Sequence, residues 1–152
     1  MRVLAVEPYH GGSHRAFLDG WIRHSRHAWT RVTPAPRTWK WRMRHAALTC
    51  AEAVRERAAA GESWDCVFAS DMLNLAEFRG LAGAAVADLP AVAYFHENQL
   101  TYPVEHPSAF DYHFAFTNLV TAAAADRVWF NSAYHREDFL AELRRFLRRM
   151  PE

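Results

Sequence analysis

Five apolar runs of strand length, residues 3–6, 28–32, 66–70, 91–95 and 127–130, recur along this chain, each bounded by polar or turn residues. Segments of helical spacing lie between and after them, at residues 13–23, 42–60, 73–87, 110–125 and 133–149. Gly61 ends the second helical segment, either Asn131 or Ser132 can cap the last, and Arg144, Arg145, Arg148 and Arg149 fall where a helix carboxyl end favours cations. Strands that alternate with helices imply right-handed crossovers, so the spacing predicts a parallel sheet covered on both faces, a doubly wound α/β domain. At 152 residues, 51% of them hydrophobic, the chain suffices for one core and one domain.

The bulk charge excludes less than the pattern does. A net charge of +1 marks no global polyanion binder, so a nucleic-acid role needs a local patch, and nine histidines add charge only below about pH 6.5. Cys50 and Cys66 have neither CxxC spacing nor a disulfide framework, which suits a reducing compartment. No run approaches 18 apolar residues, and the apolar start is too short for a signal peptide, so the expected setting is soluble and cytoplasmic, with no membrane partner.

In doubly wound sheets ligands bind beyond the carboxyl ends of the strands, and the polar residues of this chain gather there. After the first strand, Glu7-Pro8-Tyr9-His10-Gly11-Gly12-Ser13-His14 runs into a helix amino end, where paired glycines let backbone amides approach a phosphate. The run is not GxGxxG, and a plain turn explains it nearly as well. After the third strand, Ser70 or Asp71 reads first as a helix cap. The fourth strand ends in His96-Glu97-Asn98-Gln99, four polar groups that a core cannot readily satisfy and that a wet cleft can use. Trp39-Lys40-Trp41-Arg42 interleaves indoles with cations just before the long second helix, a pattern that suits stacked bases and phosphates as well as simple packing. In the fourth helix Phe110, Phe114 and Leu119 form the expected core stripe, with Asp111, Tyr112, His113 and Asn118 on a solvated face unless they reach the cleft.

Taken together, "GGSH" at 11–14, "WKWR" at 39–42, "LNL" at 73–75, "YFHENQLTYP" at 94–103 and "FNS" at 130–132 resemble the amino-terminal domain of the tRNA-queuosine α-mannosyltransferase family, which is similar to glycosyltransferase family 4 and has the two-lobed GT-B architecture. The resemblance spans almost the whole chain, and "FHENQLTYP" is its most specific part. It implies that residues 1–152 are a Rossmann-like, acceptor-side lobe, with a carboxy-terminal donor-binding domain outside this chain. It implies retaining transfer of mannose from GDP-mannose to queuosine at the wobble position of a tRNA, with partners to match: a sugar nucleotide, a tRNA and the second domain. By motif, His96 and Glu97 would be catalytic, with His96 against the transferred sugar. Gly11, Gly12, Ser13 and His14 would hold the donor. Asn98 and Gln99, with Trp39, Lys40 and Arg42, would receive the acceptor. The sugar nucleotide is a co-substrate and no cofactor is expected. Nor is a metal, because a helix amino end and cations can neutralise a diphosphate and no DxD pair is present. The isolated lobe is expected to turn over negligibly. The alternatives are a glycosyltransferase with another donor and acceptor, and a non-catalytic nucleotide- or RNA-binding α/β module.

Overall fold

The computed structural model describes residues 1–104, 106 and 110–151. Five strands, β1 (Arg2–Val6), β2 (Ala28–Val32), β3 (Cys66–Ser70), β4 (Ala91–Phe95) and β5 (Arg127–Phe130), form one sheet in the order β2-β1-β3-β4-β5. Every pairing is parallel. Five α-helices, α1 (Gly12–His24), α2 (Trp39–Ala59), α3 (Leu75–Ala82), α4 (Tyr112–Ala124) and α5 (Ala133–Leu147), cover it. This is the expected single α/β lobe with a doubly wound strand order, whose direction of winding reverses at β1.

Alternate side chains of the strands go to opposite faces, and each face has its own helices. Leu4, Val6, Val67, Ala69 and Ala91 pack on α2 and α3, where Ala46, Ala47, Cys50 and Ala51 let the helix approach closely. Ala93 and Phe95 continue that face against Phe139 of α5. On the other face Val3, Ala5 and Phe68 meet Leu18 of α1, with Phe17, Trp21, Trp29 and Tyr94 packed around them. Phe78, Phe95, Phe139 and Leu18 are at most 1% exposed, each worth about 2–3 kcal/mol of transfer free energy.

Three segments differ from their sequence expectation. Helix α2 starts at Trp39, so Trp39-Lys40-Trp41-Arg42 is its first turn and not a loop ahead of it. Helix α3 stops at Ala82 because Gly83 turns to φ 61°, and a short 3-10 turn, Gly83–Ala85, follows in place of a longer helix. Asn118 lies on the buried side of α4: it is fully enclosed, and its amide donates to the Asp71 carbonyl while its oxygen accepts from the Gln99 N–H. A single internal asparagine carries no periodic signal, so the helix pattern alone placed it wrongly on the solvated face.

Candidate functional site

The carboxyl ends of β1, β3 and β4 are adjacent in the sheet, and each ends in a polar residue that turns inward. Glu7, 1% exposed, is the hub. Its Oε1 accepts from the Tyr9 N–H at 2.9 Å and from the Ser70 hydroxyl at 3.0 Å. Its Oε2 lies 3.1 Å from His14 Nδ1 and 3.9 Å from His96 Nε2. The two imidazoles overlap, with ring centroids 3.9 Å apart and planes tilted by 30°. Asp71, also buried, holds the turn after β4 by accepting from the His96 N–H at 2.9 Å.

This packing divides the two histidines. Burial alone would strip the proton from His14, but the hydrogen bond and charge of Glu7, with Asp71 and Glu97 behind it, outweigh burial and raise its pKa above the ordinary histidine value. Burial and the neighbouring His14 charge push His96 down to about 4, so it is a neutral imidazole at physiological pH. Its side chain keeps 9% of its surface exposed. Burial raises Asp71 to about 7 and also raises Glu97, in both cases against the pull of His14.

Directly beside this network the glycine loop opens the amino end of α1. Gly11 is the cap residue with no side-chain cap, and the first intrahelical bond after it is Arg15 N–H to the Gly11 carbonyl, which leaves the amides of Gly12, Ser13 and His14 without helical acceptors. Gly11 is required for space: a Cβ there would lie 2.5 Å from Pro36 Cγ. Gly12 is required for conformation, at φ 51°. Beside them is a cavity of about 390 Å³ lined by Gly11, Gly12, Ser13 and His14 together with Glu97, Gln99, Trp39 and Tyr102. Trp39 follows Thr38, whose φ of 46° is unfavourable for a β-branched residue and sets the angle at which α2 enters.

Most of the residues expected at the site therefore meet, in differing roles. Gly11, Gly12, Ser13, His14, Glu97, Gln99 and Trp39 line the cavity, and His96 lies just behind His14. Asn98 is 3% exposed, and its side chain closes the turn, accepting from the N–H groups of Leu100 and Thr101 and donating to the Thr101 hydroxyl. Lys40 sits over the Trp39 ring at 5.5 Å, in an adjoining hollow. Arg42 donates to the Ala35 carbonyl and so pins the proline loop that Gly11 abuts. Asp71 does not cap α3; Asn74 does, accepting from the Glu77 N–H, while Ser132 caps α5 as expected. Sequence reasoning gave no site role to Glu7, Ser70, Asp71 or Tyr102. The available signal was a carboxylate at the carboxyl end of each of two strands that prove adjacent, a place where an acid has no structural reason to be apolar-packed.

Among the described residues, Glu7, His14 and His96 are the group whose ligand atoms, all within 4.8 Å of one another, could hold a metal ion. The donor types suit a transition metal, yet the Glu7–His14 hydrogen bond already accounts for their approach. What the arrangement offers without an ion is a row of backbone amides backed by an imidazole whose proton affinity Glu7 raises, around a cavity that a carboxyl and an amide also line. Such a site can bind an anion and fix hydroxyls near it.

The chain is 34% identical over 151 residues to the tRNA-queuosine alpha-mannosyltransferase of Drosophila melanogaster, a match covering 99% of this chain and 39% of the relative, so the chain spans about two fifths of that protein's length. No solved structure matches it. Residues 2–152 match the family model described as tRNA-queuosine alpha-mannosyltransferase N-terminal, and the chain belongs to that family.

Proposed function

We propose that residues 1–152 form the acceptor-side lobe of a retaining glycosyltransferase that moves mannose from GDP-mannose to queuosine in tRNA, in the cytoplasm. The observation that carries this reading is the cavity that the glycine loop and the Glu97–Gln99 turn line together at the carboxyl edge of the sheet. The free amides of Gly12 and Ser13, and the His14 imidazole whose proton affinity Glu7 raises, suit a departing diphosphate, which gains charge as its bond to the sugar breaks. In that step the C1–oxygen bond of the donor cleaves with its electron pair on the diphosphate, the acceptor hydroxyl oxygen bonds to C1, and its proton passes to the departing phosphate.

Because His96 is neutral, it supplies hydrogen bonds to the sugar without attracting the diphosphate away from the glycine loop. Glu97, with its carboxyl shifted toward the protonated form, and Gln99 shape the acceptor side, with Trp39 and Lys40 toward the RNA. Asn98 and Arg42 serve the same pocket by holding its turn and its loop. The sugar nucleotide is a co-substrate, with neither cofactor nor metal required for the step as written. Since a two-lobed cleft loses its positioning when one lobe is removed, residues 1–152 alone turn over negligibly.

The test is mass spectrometry of queuosine-containing tRNA incubated with the natural polypeptide that carries residues 1–152 and a panel of sugar nucleotides. The expected result is a hexose increment with GDP-mannose alone, reduced at least about 100-fold by His96→Ala in a folded protein. An increment with another donor replaces the substrate, and no increment with any donor removes the catalytic reading in favour of a binding module.

A further inference from the structure

The cavity at the glycine loop is the first of three hollows in series. It shares Trp39, Gln99 and Tyr102 with a second hollow of about 330 Å³, which in turn shares Val104 and Phe110 with a third of about 480 Å³ that ends at Arg145 of α5 and at Arg149 just past that helix. We propose that this continuous groove is the track of the unpaired RNA strand that flanks the acceptor nucleoside, its bases stacking on the rings from Trp39 to Tyr112 and its phosphates meeting Lys40 and Arg149. The inference rests on the tRNA reading above and extends it from one nucleoside to the strand around it.

The walls of the groove fit that occupant. Rings follow one another along it: Trp39 lies 5.2 Å from Phe114, Phe110 lies 5.0 Å from Tyr112 edge to face, and Tyr112 stacks on Phe146 at 6.1 Å. Tyr102 and Tyr112, both on the groove, are 46% and 53% exposed, so their ring surfaces are open to a partner. Cations lie beside the rings, with Lys40 over Trp39 at 5.5 Å in the second hollow and Arg149 lining the third with Phe110 and Tyr112. Lys40 and Arg149 have no ion-pair partner among the described residues. Among the described residues the acids lining the second and third hollows are engaged, Asp111 accepting from the His113 N–H and Glu142 pairing with Arg145. Exposed ring faces interleaved with separate cations match a single strand, whose bases are free to stack; a duplex hides those faces.

The natural polypeptide is compared with its Tyr112→Ala and Arg149→Glu variants, and with Arg23→Glu on α1 as a control outside the groove. Binding of a labelled queuosine-containing anticodon stem-loop is followed by fluorescence anisotropy across a salt series, alone and annealed to a strand that pairs its loop. The expected result is a loss of affinity of roughly 5- to 100-fold for Tyr112→Ala, from one lost stacking platform. For Arg149→Glu, a shallower salt slope by about 1 is expected. In transfer assays KM for the tRNA rises with kcat unchanged, and transfer to the free nucleoside is unaltered. Equal affinity of all variants, or undiminished binding of the annealed loop, overturns the proposal. Lower thermal stability of the variants with unaltered KM also overturns it, by showing that protein covers the groove. If the wild-type polypeptide transfers no sugar yet Tyr112→Ala and Arg149→Glu still lose RNA, the groove stands and the transferase reading falls.

Discussion

The ends of β1, β3 and β4 and the rim from Trp39 to Arg149 are both polar and aromatic, yet they are built on opposite terms. At the strand ends the buried acids and the buried asparagine have partners: Glu7 serves His14, Ser70 and the Tyr9 amide, Asp71 serves the His96 amide, and Asn118 ties α4 to both turns. Along the rim, Tyr102, Val104 and Tyr112 are exposed and make few such ties. The first region is fixed before any ligand arrives and can aim charge at a reacting centre, because dipoles held in place need no reorganisation. The second contributes its surface only when something binds. A buried polar group is therefore part of the fold here, and an exposed one is available for contact.

Removing the hub should give the largest effect. Glu7→Ala leaves the His14 imidazole, the Ser70 hydroxyl and the Tyr9 amide without their buried acceptor, and we expect a loss of about 3–5 kcal/mol in urea denaturation. A loss below about 1 kcal/mol breaks the distinction, since the network would then be no more integral than the rim.

The glycine loop comes next. Gly11→Ala forces a Cβ against the rigid Pro36 ring and should destabilise by about 1–3 kcal/mol. Gly12→Ala meets no neighbour but must hold φ 51°, a strain of about 1 kcal/mol. If the two substitutions behave alike in thermal melts, the loop is not pressed on Pro36 and its preorganisation is in doubt.

A smaller effect, distinguished by its pH dependence, is expected at Asp71. Its folded pKa of about 7 exceeds the ordinary carboxyl value of 3.8, so the folded protein binds that proton more tightly; the resulting stability is complete below pH 3.8 and lost as pH rises through about 7. His96 has the opposite sign, being depressed from 6.5 to about 4, so its share is complete above pH 6.5 and lost as pH falls toward 4. The two slopes oppose each other between pH 4 and 6.5 in the native protein, while His14, raised above 6.5, loses its share only as pH climbs past its folded value. Asp71→Asn keeps an oxygen for the His96 amide and removes the buried charge, weakening the support of His14. Denaturation curves at pH 8 and pH 5 should show the variant more stable than native by about 1–2 kcal/mol at pH 8 and no better at pH 5. A gain of equal size at both values refutes the assignment of the buried charge to Asp71.

The smallest effect belongs to the rim. Tyr102→Ala should change stability by no more than about 0.5 kcal/mol, and a larger loss in the same denaturation assay would show that this tyrosine is part of the fold after all.

The strand positions were legible because each apolar run has strand length and is closed by polar residues; four of the five match the structure in full, and β1 gains only Arg2. The glycine loop and the Glu97–Gln99 turn were legible for a related reason, as polar and flexible groups lying where a parallel sheet places its ligands. Glu7 and Asp71 were not. Each sits a single residue past its strand, where a carboxylate looks like a loop residue or a cap, and only the neighbouring strand shows what it faces. Asn98 looked like a cleft residue for the converse reason: its side chain satisfies its own turn, a local solution that a polar string does not announce.

By itself, then, the order of apolar and polar residues determined an all-parallel α/β lobe and put its chemistry at the carboxyl ends of the strands, because periodicity and crossover geometry depend on local spacing. The strand order 2-1-3-4-5 was decided only in three dimensions, and it brings residues 7, 14, 70, 71 and 96 into one buried network. Proton affinities followed from that: whether an imidazole is charged depends on burial and on the carboxylate beside it, and neither is a property of its place in the chain.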